Sequence, residues 1–199
     1  MTTRPALLIF IKNPELGTAK TRLAKTVGDE RALRIYRELL RHTREVTTQV
    51  AASRYLYYSK FVDTTDEWSA DDFHKAVQPA GDLGRRMRTA FEAVLAHHDR
   101  AVIVGSDCAT LHPAILERAF AALGTHDAVI GPAADGGYYL LGLKDLSVDV
   151  FGGMTWSVAT VATTTIDRLE GAGKTVARLP VLSDIDTEDD WKRHGWEVA

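Results

Sequence analysis

Two aspartates far apart in the chain, Asp107 and Asp186, each lie just beyond an apolar run, in the stretches Gly105-Ser106-Asp107 and Asp184-Ile185-Asp186-Thr187. Carboxylates at the exits of buried strands suit a hard divalent cation. Magnesium commonly takes only one or two protein carboxylates and completes its octahedron with waters and substrate phosphates. A Mg2+ or Mn2+ ion held by Asp107 and Asp186, with Asp184 the lesser alternative to the latter, is therefore a self-sufficient arrangement if the fold brings the two segments together. The opposite charge comes from residues 12–22, where Lys12, Lys20 and Arg22 share a short segment with the turn formers Pro14 and Gly17. Two unit charges 4 Å apart at an effective dielectric near 20 interact by roughly 4 kcal/mol, so these cations could offset much of a polyphosphate's charge. The chemistry expected of such a pair of segments is metal-assisted binding of a phosphate or polyphosphate group. A solvated loop carrying ordinary surface lysines would look the same locally.

Other segments compete for a place in the same site. Asp135-Gly136-Gly137-Tyr138-Tyr139 sets a carboxylate beside two glycines that allow close approach to the backbone, and beside aromatic rings able to line a sugar. Asp-Gly is also a strong hairpin signal, and both readings can hold together. Gly81-Asp82-Leu83-Gly84-Arg85-Arg86 joins positive charge to a helix start, where free backbone amides favour anions, although an Asp-capped surface helix has the same pattern. The lesser alternative for Asp107 is that it caps a helix beginning near Pro113. Two fragments resemble a phosphate-binding P-loop but lack its spacing: Gly17-Thr18-Ala19-Lys20-Thr21, and Gly171-Ala172-Gly173-Lys174-Thr175. The second reads as a helix C-cap. His97-His98-Asp99 falls before a strand, at the opposite edge from the other candidates, and reads as a solvated helix end.

The elements that must position these residues alternate along the chain. Ala6–Ile11 is a continuous apolar run ending in a Pro/Gly loop, the pattern of a buried strand. From Asp29, an expected N-cap, Leu33, Tyr36, Leu40, Thr43 and Val46 recur at helical spacing. Strands are expected at Tyr55-Leu56-Tyr57-Tyr58, Ala76-Val77, Ala101-Val102-Ile103-Val104, Ala128-Val129-Ile130 and Thr175-Val176-Ala177. Helices are expected around Leu83 to Leu95, over 113–123 and over 158–169. Repeated β-α alternation predicts a mostly parallel sheet between helical layers, whose ligand crevice lies at the carboxyl ends of the strands. Four segments fall just after such strands: Lys12 to Arg22, Gly105-Ser106-Asp107, Gly131-Pro132 with Asp135-Gly136-Gly137, and Asp184-Ile185-Asp186-Thr187. Residues 63–72 read as a polar surface excursion.

Composition bounds the rest. With 199 residues and 45% apolar residues, the chain can bury one proper core and shows no linker, which predicts a single domain over 1–199. A formal charge of -3 gives no general field for nucleic acid or an anionic membrane. The apolar run near the start is too short to span a bilayer and lacks a leader's cleavage pattern, and the single Cys108 suits a reducing compartment as a small buried hydrophobe. A cytoplasmic protein is expected.

Taken in order, several stretches resemble a bacterial family of the nucleotide-diphospho-sugar transferase superfamily, the DUF2064 family of GT-A-type glycosyltransferases. They are Lys12-Asn13-Pro14 through Gly17 to Lys20-Thr21-Arg22-Leu23, Gly81-Asp82-Leu83-Gly84, Gly105-Ser106-Asp107-Cys108, Gly131-Pro132 through Asp135-Gly136-Gly137-Tyr138-Tyr139-Leu140-Leu141-Gly142, Trp156-Ser157, and Asp184-Ile185-Asp186-Thr187. The resemblance spans nearly the whole chain. It departs at Ala109, where the family usually carries Pro. It implies a three-layer α/β/α Rossmann-like GT-A fold with a mostly parallel mixed sheet, and a metal held by Asp107 and Asp186. Catalytic roles fall to Asp107, Asp135 and Arg22. Nucleotide contacts fall to Lys12, Pro14, Gly17, Lys20, Arg22, Gly81, Asp82 and Arg85, and substrate contacts to Gly136, Gly137, Tyr138 and Trp156. The implied activity is glycosyl transfer from a nucleotide sugar to a small-molecule acceptor, in a protein that can be a homo-oligomer. The Lys-Thr-Arg-Leu segment is also similar to that of nucleotidyltransferases such as the phospholactate guanylyltransferases, in which a phosphorylated acceptor attacks a nucleoside triphosphate and pyrophosphate leaves. A nucleotide-binding module without catalysis is the third expectation.

Overall fold

The computed structural model describes residues 4–198. Its strands are β1 Ala6–Ile11, β2 Ser53–Tyr58, β3 Phe73–Val77, β4 Ala101–Val104, β5 Ala128–Pro132, β6 Tyr138–Leu143 and β7 Val176–Arg178. Its helices are α1 Thr21–Val27, α2 Asp29–Thr48, α3 Leu83–Leu95, α4 Pro113–Ala122, α5 Val161–Gly171 and α6 Glu188–His194. All seven strands join one sheet in the order β3-β2-β1-β4-β6-β5-β7. Every pairing is parallel except those of β6, which runs antiparallel to both β4 and β5.

The alternation of side chains along β1 explains the layers. Leu7, Ile9 and Ile11 point into one core with Leu23 of α1, Ile35 and Leu39 of α2, Leu116 of α4 and Trp191 of α6. Ala6 and Leu8 point into the other, with Met87, Phe91 and Val94 of α3 and Leu169 of α5. A strand buried on both faces needs an unbroken apolar run, which is what Ala6–Ile11 and Ala101–Val104 supply. The result is the α/β/α sandwich with a mostly parallel mixed sheet that the sequence predicts. Among the described residues no helix is long and apolar enough to cross a membrane.

Several local expectations change. Thr21 and Arg22, read as the end of the 12–22 loop, instead open a short helix, Thr21–Val27, too brief for its one buried residue, Leu23, to show a period. Gly28, not Asp29, is the N-cap of α2, and Asp29 opens the helix itself. The expected helix over 158–169 begins at Val161. Residues 63–72 are the expected surface excursion, mostly exposed but anchored: Trp68 is 4% exposed and packs edge-on to Phe73, while Asp66 accepts from Lys75 and from the Tyr58 hydroxyl. The C-cap reading of Gly171-Ala172-Gly173 holds, with Gly173 at φ 77 just beyond α5. His98 is structural. Its Nδ1 donates to the Arg4 carbonyl at 2.6 Å and its Nε2 accepts from the Tyr55 hydroxyl at 2.8 Å, tying the end of α3 to the start of β1.

Candidate functional site

The chain turns away from β1 in both directions across the sheet, to β2 on one side and β4 on the other. In such sheets the crevice opens where the strand order reverses. The register pairs Ile9 with Val104, so Gly105, Ser106 and Asp107 leave the sheet alongside Phe10, Ile11 and Lys12. A buried tyrosine of α2 locks the two exits together. The Tyr36 hydroxyl accepts from the Lys12 amide at 2.8 Å, donates to the Lys12 carbonyl at 3.0 Å and lies 3.2 Å from the Ser106 hydroxyl. Burial, and then the nearby Asp107 charge, push this phenol's pKa far up and keep it protonated.

The late carboxylates reach the same place because their backbone is laced to the β4 exit. Cys108 bridges Asp184 in antiparallel fashion, and the Ile185 amide donates to the Asp107 carbonyl at 2.8 Å. Thr187 caps α6, and the Asp190 carboxylate accepts from the amides of Asp186 and Thr187, which fixes the backbone on which Asp186 stands. Asp107 and Asp186 then converge on one point, the ammonium of Lys20. Lys20 Nζ is 2.8 Å from Asp107 Oδ1, 3.8 Å from Asp186 Oδ1 and 2.6 Å from the Ile185 carbonyl. Arg22 approaches the other oxygen of Asp186 at 3.2 Å from a largely exposed position. Asp107 does not cap α4: His112 does, its ring nitrogen accepting from the Ala114 amide. Asp184 lies beneath this pair. Its carboxyl is pushed up to about 7, first by burial and then by Asp107, with Asp135 and Asp186 adding to the effect against Lys20.

Asp135 sits at the tip of the β5–β6 hairpin, as an Asp-Gly pair suggests. One of its oxygens accepts from the Gly137 amide at 2.9 Å, and the Ala133 amide donates to the Gly137 carbonyl across the turn. The hairpin and the site are one feature, since Asp135 borders two adjoining cavities. The first, of about 340 Å3, is walled by Phe10, Leu83, Met87, Tyr138 and Trp156, with Gly105 and Ser106 also lining it. The second, of about 380 Å3, is polar and bordered by Lys20, Thr21, Arg22 and Asp186. Lys12, Asp107, Asp135, Ser157 and Val158 line both. Trp156 is set by a close approach: a Cβ on Gly84 would fall 2.8 Å from its ring.

The sequence candidates thus divide. Lys12, Lys20, Arg22, Asp107, Asp135, Gly137, Tyr138, Trp156 and Asp186 line one cavity or both, whereas Pro14, Gly17, Gly81, Asp82, Arg85 and Gly136 border neither. The Asp82 carboxylate is occupied as the N-cap of α3, accepting from the Arg85 amide at 2.8 Å. Sequence reasoning missed Tyr36, Ser106, Leu83 and Met87 as site residues. A signal existed for Tyr36, since its helical spacing places a hydroxyl on the buried face of α2, where it needs a partner. Cys108 is a buried hydrophobe as expected, its thiol pushed up to about 11 chiefly by burial.

Among the described residues no three His, Cys, Asp or Glu side chains group closely enough to hold an ion unaided. The donor chemistry nevertheless fits a hard divalent cation. Oxygens of two carboxylates already aim at one cationic point on the wall of a polar cavity, leaving further coordination positions to water and to a ligand's phosphates.

Known structures share this architecture. A crystal structure of a candidate nucleotide-diphospho-sugar transferase from Desulfovibrio desulfuricans G20 is 33% identical, with a TM-score of 0.85 over 94% of this chain and 84% of that one. Rv0371c of Mycobacterium tuberculosis H37Rv, crystallised with manganese, is 18% identical, with a TM-score of 0.56 over 97% of this chain and 98% of that one. The 4-diphosphocytidyl-2C-methyl-D-erythritol synthase of Anaerococcus prevotii DSM 20548 is 11% identical, with a TM-score of 0.60 over 97% of each chain. The last two likenesses are of fold alone. No curated protein matches the chain in sequence. The model of the family described as "uncharacterized protein conserved in bacteria (DUF2064)" matches residues 42–158, more than half of the chain, and the protein belongs to that family of the nucleotide-diphospho-sugar transferase superfamily.

Proposed function

We propose that the protein is a cytoplasmic, metal-dependent glycosyltransferase acting on a nucleotide-sugar donor, with the whole chain as its one catalytic domain. The observation that carries this reading is the meeting of Asp107 and Asp186 on a single cationic point between a polar cavity and an aromatic one. The diphosphate of the donor occupies the polar cavity beside Lys20 and Arg22. Its sugar reaches toward Gly137, Tyr138 and Trp156. Asp107 and Asp186 would hold a Mg2+ or Mn2+ ion, which when bound supplies charge neutralisation for the diphosphate as it leaves.

The chain's own residues account for the rest. In the transfer, the bond between the anomeric carbon and the diphosphate oxygen breaks and a bond forms to an acceptor hydroxyl oxygen. The hydroxyl proton passes to Asp135, whose exposed carboxylate borders both cavities while the Gly137 amide orients it. Arg22 meets the negative charge that develops on the leaving diphosphate. The aromatic wall excludes water from the sugar side.

Nucleotidyl transfer is the second reading, favoured by one observation. Lys20 and Arg22, from the segment similar to that of guanylyltransferases, stand directly on the paired carboxylates, where they could equally neutralise pyrophosphate. Purified protein with Mg2+ or Mn2+ is expected to turn over at least one member of a nucleotide-sugar panel, hydrolysis being the first sign. Pyrophosphate release from a nucleoside triphosphate plus a phosphorylated acceptor, without turnover of any nucleotide sugar, would establish the second reading instead. Metal-dependent binding with no product across both panels would make the protein a binding module.

Arg22 tests the electrostatics of the donor site. Its side chain is 68% exposed, so its attraction to a phosphate is screened by salt. Arg22→Ala should weaken donor binding by roughly tenfold at low ionic strength and by less near 0.5 M salt, a range over which the Debye length shortens severalfold. A defect of the same size at every salt concentration, measured by titration calorimetry, would assign Arg22 a structural role.

A further inference from the structure

The ammonium of Lys20 occupies the very point on which the two carboxylates converge. Its side chain is 5% exposed, and its Nζ lies 2.8 Å from Asp107 Oδ1 and 2.6 Å from the Ile185 carbonyl, with Asp186 Oδ1 farther off at 3.8 Å. A divalent ion bound by those carboxylates would stand about 2.1 Å from their oxygens, in contact with the lysine head. The repulsion between the two cations would be twice that between unit charges at the same separation. Ion and ammonium therefore exclude each other. The head can move by rotation of the side chain alone, while Lys20 keeps its left-handed backbone at φ 52 and ψ 46. It is also the N-cap of α1 without any side-chain capping bond, so the helix loses no such bond when the side chain moves. The space into which the head can swing is the polar cavity that Lys20 already lines, together with Thr21 and Arg22.

We propose that Lys20 is an internal counter-ion that holds the carboxylate pair in the metal-free protein and is displaced by the divalent metal into the polar cavity, where its ammonium pairs with the ligand's phosphates. Metal entry thereby delivers a cation to the phosphate site. Metal and phosphate binding become coupled, each favouring the state in which the lysine has moved, and the coupling is reciprocal. This rests on the metal-and-diphosphate reading above and adds to it a mechanism of ordered assembly.

The test uses Mn2+ alone, without nucleotide, its free concentration followed by electron paramagnetic resonance. Lys20→Met removes the competing charge and should bind Mn2+ roughly tenfold more tightly than wild type, within the usual range of such couplings. Equal or weaker binding by Lys20→Met overturns the proposal. The same result alongside Asp107-dependent Mn2+ binding by the wild type leaves the functional reading standing, whereas absence of Mn2+ binding from both proteins removes both. A measurement on the wild type covers a variant that fails to fold. In protein labelled with 15N-lysine, the buried Lys20 ammonium should give a protected NMR signal that is lost or shifted as Mg2+ saturates the site. A signal unmoved at saturation overturns the proposal as well.

Discussion

Asp107→Asn is expected to leave the protein folded and to remove the metal-dependent nucleotide binding proposed above. Asparagine keeps the shape of the side chain and one carbonyl oxygen but loses the charge that a divalent ion requires. A drop of roughly 100-fold or more in Mn2+-dependent nucleotide affinity is expected, since altering even the groups that support metal ligands costs 10- to 100-fold. The fold should tolerate the change. The Asp107 side chain is 42% exposed, so solvent screens part of its pairing with Lys20, and Lys20 keeps the Ile185 carbonyl and Asp186 as partners. A stability loss of about 1 to 2 kcal/mol follows, a few degrees in Tm for a chain of this size. Thermal scans with and without chelator, combined with nucleotide titrations in Mn2+, separate the two effects. Unchanged metal affinity in a cooperatively folded variant would remove Asp107 from the metal site and the functional reading with it.

How much of this was legible depends on whether the determining contacts are local. Ala6–Ile11 and Ala101–Val104 announce themselves because a parallel strand buried on both faces must be apolar throughout. Placing ligand residues at their exits then follows from the architecture, and Asp107, Asp135 and Asp186 do stand around one crevice. Strand β6 was hidden behind the Asp135-Gly136 turn, where the glycines and tyrosines suggested a ligand wall. The hairpin signal implies a return beside β5, but its insertion between β5 and β4 depends on the pairing with β4, which no local pattern encodes. The role of Lys20 was equally out of reach. Its setting requires a left-handed backbone at one position and the carbonyl of Ile185, which lies at the far end of the chain. Asp82 shows the reverse limit: an Asp before a helix reads alike as a helix cap and as part of an anion site, and only the bond to the Arg85 amide displays the cap.

Gly136→Ala should unsettle both fold and site, because the hairpin tip and the start of α5 meet there without room for a side chain. Gly136 lies at φ 88, and an added Cβ would come within 2.1 Å of the Ala159 carbonyl oxygen and 2.4 Å of two further backbone atoms of Ala159. None of these can rotate away. The Ala162 amide donates to the Gly136 carbonyl at 2.9 Å, so the turn cannot retreat without breaking its tie to α5. The left-handed backbone alone costs a residue with a Cβ roughly 1 to 2 kcal/mol, and the displaced backbone adds to it. A total near 3 kcal/mol lowers Tm by about 6 to 12 °C. Ser157 and Val158, which line both cavities just before Ala159, must shift with it, and a displacement of about 1 Å at an active site can reduce turnover by roughly 100-fold. Gly105→Ala is the control that separates the two losses. Gly105 has no positive φ, and its Cβ would meet nothing within 4 Å, yet it would project at the wall of the aromatic cavity. It should therefore weaken ligand binding with Tm nearly unchanged. A Gly136→Ala protein as stable and as active as wild type would show that residues 157–160 do not shape the site.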